Sequence, residues 1–263
     1  MQIIESKNDF ATRFARWTAN DALHGYPFVE NIHAPFTAVR RALPMMNLGL
    51  ISSAGAYIDG TEPFDLESKD GDLNYREIPI EVDASDLRFT AKGYDSKAVT
   101  EDRNAQIPVD RLLEYQANAV IGSLNNVWWS VSSHIPNAER VATELAPQIA
   151  ERLHRYDVQA ALLIPASRLC HQTLGIIARV VEESGIPTIC LSVDTAMTDK
   201  VRPPRTAYYN GELGSVAGQP NWSEYQLRIL DETLRWIETF DQPGSRKLAV
   251  DLESHVEAAR GER

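Results

Sequence analysis

Residues 157–194, DVQAALLIPASRLCHQTLGIIARVVEESGIPTICLSVD, decide the fold. Residues 158–164 are an apolar run of buried-strand length, broken by Pro165-Ala166-Ser167. From Cys170 onward, Leu174, Ile177, Ala178 and Val181 recur at three- and four-residue spacing, which predicts an amphipathic helix. Gly185 and Pro187 stop that helix, and residues 188–193 form a second apolar, β-rich run. A strand, helix and strand of this length are most simply a right-handed crossover in a parallel sheet. Ser167, Cys170 and His171 then fall in the turn after the first strand or the first turn of the helix. In open α/β sheets this rim is where ligands bind. A helix N-terminus also favours a thiolate. Two readings of the cluster stand side by side: Cys170 as a poised nucleophile, or as a small buried hydrophobe with His171 at the surface.

Outward from this unit, the sheet is expected to gain strands at 46–52, 75–82, 87–91, 120–124 and 127–131. Pro79 marks the 75–82 run as an edge or an ending. Trp128 and Trp129 fit a core or an interface. Helices are expected over 109–117, after Pro108, over 137–156 and over 221–240. In the second, Val141, Leu145, Ile149 and Leu153 form the apolar stripe, and Pro147 should kink or split it. Residues 1–45 read as a helical, amphipathic extension, with Phe10, Phe14 and Trp17 as a stripe and a short helix near 36–43. Residues 195–221 read as a long irregular loop rich in Pro and Gly, and residues 247–263 as a charged, frayed or partner-bound tail. The fold class is therefore α/β: a doubly wound, Rossmann-like, mostly parallel sheet over 46–241. It is preceded by the 1–45 extension and followed by a 242–263 tail.

Composition narrows the function. The 263 residues carry a formal charge of −11, which argues against a phosphate-backbone binder or an anionic-membrane anchor. No stretch approaches the length of a membrane span, the N-terminal residues lack an apolar signal core, and two cysteines make no disulfide framework. The expected location is the cytoplasm. G-x-G-x-x-G and P-loop patterns are absent, so no nucleotide cofactor is expected. Small residues 52–56 follow the first main strand and let a backbone approach a ligand, which makes Ser53 a candidate. The polar loop 93–104 offers Tyr94, Asp102 and Asn104, and His134 ends a strand at the same rim. Arg205, beside Pro203-Pro204, is a candidate clamp for a carboxylate. Cys170, His171 and His134 match no strong metal pattern, and no metal site is expected.

Several segments together resemble one family. They are YREIP (75–79), GYD (93–95), EDRNAQIPVDRLLE (101–114), AVIGSL (119–124), the strand at 158–165, SRLCHQT (167–173), GIPT (185–188), PPR (203–205) and G-x-x-x-G-x-P (214–220). In order and spacing, from about residue 47 to 236, the chain is similar to selenoprotein B of the glycine, sarcosine, betaine and D-proline reductases, in particular to its shorter cysteine-bearing relatives. The resemblance implies an oxidoreductase-family enzyme acting on a small amino-acid-like substrate through Cys170. Joined to the reading of the residues themselves, this makes His171 or His134 the acid/base partner and Ser53, Tyr94, Asp102, Asn104, His134 and Arg205 the candidate lining. It further implies a partner subunit with a pyruvoyl group and a thioredoxin-like electron donor, this chain itself binding no cofactor. The family's redox pair is Sec-x-x-Cys or Cys-x-x-Cys, and this chain has Ser167-Arg168-Leu169-Cys170. Serine forms no disulfide, so residues 167 and 170 cannot form the family's redox pair within this chain. Cys190, inside a strand, is expected to be buried and inert. Two alternatives stay open: a redox-neutral cysteine lyase or isomerase acting on a small amino-acid derivative, and a non-catalytic binding subunit; the expected protein partner is another subunit or a second copy of the chain.

Overall fold

The structure is a computed structural model and describes residue 4, residues 6–9 and residues 27–250. An eight-stranded sheet forms the middle layer. Its strands are β3 (Asn47–Ser52), β5 (Tyr75–Pro79), β7 (Ser123–Leu124), β8 (Val127–Val131), β9 (Ala160–Ile164), β10 (Thr188–Ser192), β11 (Arg205–Tyr208) and β12 (Gly244–Lys247). Their order is β12-β11-β10-β9-β3-β8-β5, with the short β7 also paired to β3. All neighbours are parallel except β5, which runs antiparallel to β8 at the edge and ends at Pro79. Proline cannot donate to a ladder, so this position suits it. Two small antiparallel pairs lie off the sheet: β1 (Ser6–Asp9) with β2 (Pro27–Glu30), and β4 (Ala56–Ile58) with β6 (Leu87–Phe89).

The central strands are buried on both faces. Every residue of β9 and β10 is buried, as in a parallel sheet covered on both sides. Alternation divides them between two cores. Leu48, Leu50, Leu162, Ile164, Ile189 and Leu191 face one core. There they meet Leu112 of α2 (Val109–Ala117) and Ile229, Leu230 and Leu234 of α7 (Ser223–Thr239). Ile51, Ala161, Leu163 and Cys190 face the other. That core is closed by α4 (Ala146–Arg155), by α5 (Arg168–Glu183) and by α6 (Thr195–Val201). Trp128 and Trp129, adjacent on β8, point into opposite cores. A short helix α1 (Lys97–Glu101) lies in the connection between β6 and α2.

The helix expected over 137–156 is interrupted as its proline predicts. Asn137 caps α3 (Ala138–Arg140) by accepting from Arg140 N at 3.1 Å, a π turn spans Val141–Leu145, and α4 follows with Pro147 in its first turn. The wider turn absorbs the bond that Pro147 cannot donate. The Val141–Leu145–Ile149–Leu153 stripe stays on the core face throughout.

Two expectations are corrected. Residues 31–42 contain no helix; they run as an extended strap followed by a 3-10 turn at Leu43–Met45. Thr37 is tied down by Glu182, which accepts from Thr37 N at 2.7 Å. Long-range polar bonds of this kind replace the local ladder a helix would make. Phe10, Phe14 and Trp17 lie outside the described residues. The loop expected at 195–221 holds α6 and β11. Asp194 caps α6 by accepting from Met197 N at 3.1 Å. The short β11 begins with a charged residue whose charge is paired in the interior, which disguised it as loop.

Candidate functional site

The direction of the chain reverses between β3 and β9. The chain leaves β3 toward β8 on one side and leaves β9 toward β10 on the other. Their carboxyl ends therefore diverge, leaving the crevice where open α/β sheets bind ligands. Three turns meet there: Ser53 after β3, Ser133 after β8, and Ser167 after β9.

Ser167 is the N-cap of α5, in extended conformation, and its Oγ accepts from Cys170 N at 3.2 Å. This is the favoured use of a serine at that position. The cap fixes Cys170 in the first turn with Sγ directed between the two neighbouring strand ends. Sγ lies 3.3 Å from the Ser133 carbonyl oxygen and 3.5 Å from that of Ser53, and donates to them. Ser53 Oγ accepts from Ala166 N at 3.3 Å, which stitches the two turns together. Ser53, Ser133, Ser167 and Cys170 are all at most 1% exposed.

A cover lies over this cluster. Gly93 has φ +85, and a Cβ there would come within 3.3 Å of Ser167 Cβ. Tyr94 follows and donates its hydroxyl to Ala54 O at 2.6 Å. Gly214, at φ +83, packs so closely on Tyr94 and Asp95 that a Cβ would strike both. Its N–H donates to Ala166 O at 3.0 Å. Gln106, fully buried, donates to Ile164 O and accepts from Val216 N. The 93–106 and 214–221 segments thus form one roof bound to the β9 turn.

Electrostatics set the thiol's state. Burial pushes the Cys170 thiol up, against lowering contacts from Ser167 and Ser53. Its partners at 3.3 and 3.5 Å are carbonyl oxygens, which accept from a thiol and repel a thiolate. The expectation that this position yields a thiolate is therefore corrected for the closed chain: the helix N-terminus is present, but burial outweighs it. Burial likewise raises the Tyr94 hydroxyl, with Cys170 adding to it.

His171 is not at the surface. Its Nδ1 lies 2.7 Å from Ser167 O and its Nε2 accepts from Val193 N at 3.3 Å. A carbonyl only accepts, so Nδ1 carries the proton and the ring is neutral. Burial lowers its pKa, with Asp194 opposing. Nε2 joins α5 to the end of β10, while Nδ1 is spent on the N-cap carbonyl of α5 itself. His134 follows β8 near Lys92, and burial, then Lys92, lowers its pKa to about 4.

The remaining candidates serve the roof or lie elsewhere. Asp102 accepts from Asn104 N, Asn221 N and Gln226 Nε2. Asn104 is engaged with both Asp102 and Asp110. Both hold the cover in place. Arg205 is not brought to the cluster: it begins β11, at the opposite edge of the sheet, and is fully buried against Glu182 at 2.5 Å. Cys190 is buried in the middle of β10, and both cysteines are free. Among the described residues no group of three or more His, Cys, Asp or Glu is placed to hold a metal. The sequence reading missed Ser133, Gly93, Gln106 and Gly214 as parts of the site. The signal was present in the GYD and G-x-x-x-G-x-P segments, where glycine stands at a left-handed turn.

The fold and the site together define a mixed α/β protein with a mostly parallel central sheet and a buried, serine-flanked thiol at the carboxyl ends of its strands. Comparison with known proteins makes this more specific. The family model for glycine/sarcosine/betaine reductase selenoprotein B matches residues 39–166, and the chain is similar to this family over that stretch. It is 28% identical over 202 residues to the D-proline reductase subunit gamma of Acetoanaerobium sticklandii, covering 77% of this chain and 82% of that one. It is 26% identical over 181 residues to the glycine reductase complex component B subunit gamma of Symbiobacterium thermophilum, and 28% identical over 154 residues to that of Peptoclostridium litorale. Those matches cover 66% and 56% of this chain, but 41% and 34% of the two relatives. No solved structure matches the chain. Among the described residues no helix is long and apolar enough to cross a membrane.

Proposed function

We propose that the chain is one subunit of a reductase-type complex, that a small amino-acid-like substrate is taken up beside Cys170, and that this thiol reacts only when the 93–95 cover is displaced. The observation that carries this reading is the position of Cys170. It stands in the first turn of a capped helix at the switch point, yet is 1% exposed and donates to two carbonyls. Moving Tyr94 away would admit water and substrate and remove the largest cause of the raised pKa. The helix N-terminus would then favour the thiolate.

Reductive cleavage of a C–N bond takes up two electrons and two protons while two thiols, or a thiol and a selenol, become one S–S or Se–S bond. Within this site there is one thiol, and Ser167 stands in the other place. The second thiol or selenol therefore belongs to a partner subunit in this reading. Family resemblance supports a pyruvoyl group on a partner as the holder of amine substrates, and a thioredoxin-like protein as the donor that restores the dithiol.

The test is the pH dependence of Cys170 alkylation, read by mass spectrometry on the free chain, on Tyr94→Ala and on the complex isolated with its partners. Slow modification of the free chain is expected, with acceleration of about tenfold or more in Tyr94→Ala or in the complex. A fast, low-pKa Cys170 in the free chain would overturn the masked-thiol reading. A thiol inert in all three would leave a non-catalytic binding subunit.

A further inference from the structure

The edge of the sheet opposite Cys170 holds an open cavity of about 530 Å³. Its floor is apolar: Met46 lies just before β3 and Ile186 just before β10, and Phe36 supplies a wall. Arg205 stacks on Phe36 at 4.1 Å and is itself locked to Glu182, so the ring is held from behind. The rim carries Arg40 and Arg41. Both are exposed and, among the described residues, form no ion pair or hydrogen bond. That sets them apart in a chain of net charge −11 whose Arg76, Arg88, Arg103, Arg140 and Arg152 are all paired with carboxylates. Glu182, the buried acid bonded to Thr37 of the cavity lining, has no oxygen to spare for them. Glu182 already accepts from Arg205 and Thr37 N on one oxygen, and from Thr188 N and Oγ1 on the other. His154, also at the rim, is engaged with Ser184.

We propose that this cavity binds a small amphipathic organic anion, a carboxylate, sulfonate or phosphate ester on an apolar body, with Arg40 and Arg41 taking the charged head. The volume lies in the range of small-molecule sites, and two adjacent guanidiniums over an apolar floor match that chemistry. The site is independent of Cys170 chemistry, and its ligand reaches the other end of the strands.

The probe is 1-anilinonaphthalene-8-sulfonate, titrated by fluorescence into the full chain, with octanoate and octylammonium as competitors. Saturable binding at one site is expected, displaced by octanoate and not by octylammonium. Arg40→Glu/Arg41→Glu should weaken binding at least about tenfold, the loss expected for a charge-assisted contact. Arg88→Glu, on β6, should leave it unchanged. Circular dichroism checks that each variant is folded, which is expected because both arginines are exposed. No saturable binding, equal binding by the double variant, or equal displacement by octylammonium would overturn the proposal.

Discussion

The two edges of the sheet bury polar groups in opposite ways. At the amino edge Glu182 and Arg205, both with fully buried side chains, form an ion pair. Thr37, Thr188 and the Thr37 carbonyl complete the knot. At the carboxyl edge the buried groups are neutral: a thiol, serine hydroxyls and two backbone carbonyls. A charged knot is costly to open, because each ion would be left without its partner in the interior. A neutral cluster under a short cover is cheap to open. The first arrangement fixes the 31–42 strap to the sheet, and the second can admit a ligand. The sequence offered Arg205, beside Pro203-Pro204, as a clamp for a carboxylate; the geometry makes it a strut.

The largest effect expected from this contrast is in Glu182→Ala. Arg205 would be left buried and unpaired, and a loss of about 3–5 kcal/mol is expected in denaturant unfolding. A loss below about 1 kcal/mol would show that water reaches Arg205 and that the knot is not closed. Next comes Ser167→Ala, which removes the cap of α5. A cost of about 1 kcal/mol is expected, with most of it restored by Ser167→Asn, which also accepts from the helix amides. If Asn fails to rescue, the serine's worth lies in its packing under Gly93 and not in the cap.

Ser167→Cys sharpens the same region without a large stability change. The cap places residue 167 and Cys170 three residues apart, on the first turn of one helix. Under mild oxidation the variant should form a 167–170 disulfide, seen as loss of both alkylatable thiols while Cys190 remains. No disulfide even in Ser167→Cys/Tyr94→Ala, where the cover is removed, would mean that the first turn, as serine holds it, has lost the family's dithiol geometry.

Much of this was legible in the sequence because it rests on local pattern. The 157–194 unit, the all-apolar β9 and β10, the edge at Pro79 and the split at Pro147 follow from periodicity and from proline's missing donor. Cys170 and Ser167 were legible as a site because strand ends and helix starts have a fixed relation in parallel sheets. Burial was not legible. Nothing local says that Gly93 and Tyr94 fold over Ser167, or that Ser133 turns its carbonyl on Cys170, since these contacts join segments 34 or more residues apart. Arg205 failed for the same reason: its partner Glu182 lies 23 residues away on another element. The strap at 31–42 misled because its apolar spacing suits a helix. Its backbone and side-chain bonds instead go to distant groups, Asn31 to Lys200 O and Thr37 to Glu182.

The smallest effect is in pH dependence, and it separates the two edges once more. His134 stands beside the carboxyl-edge cluster, one residue after Ser133, with its pKa lowered from 6.5 to about 4 by burial and then by Lys92. The folded chain therefore holds this ring neutral where the unfolded chain protonates it. Between about pH 6.5 and about pH 4 the unfolded state binds more protons, so stability is present above the unfolded pKa and is lost as pH falls through this window. Replacing His134 with Asn removes that proton uptake. The variant's stability should fall less steeply between these pH values than the wild type's, as read from denaturant midpoints across the range, with the two curves parallel above pH 7. Glu182, held among donors at the other edge, is unchanged in both proteins and cancels in the comparison. An unchanged slope in His134→Asn would mean that the ring is reached by water and protonates in the folded chain. The carboxyl edge would then be open without any partner, and the cover over Cys170 would not be what keeps its thiol neutral.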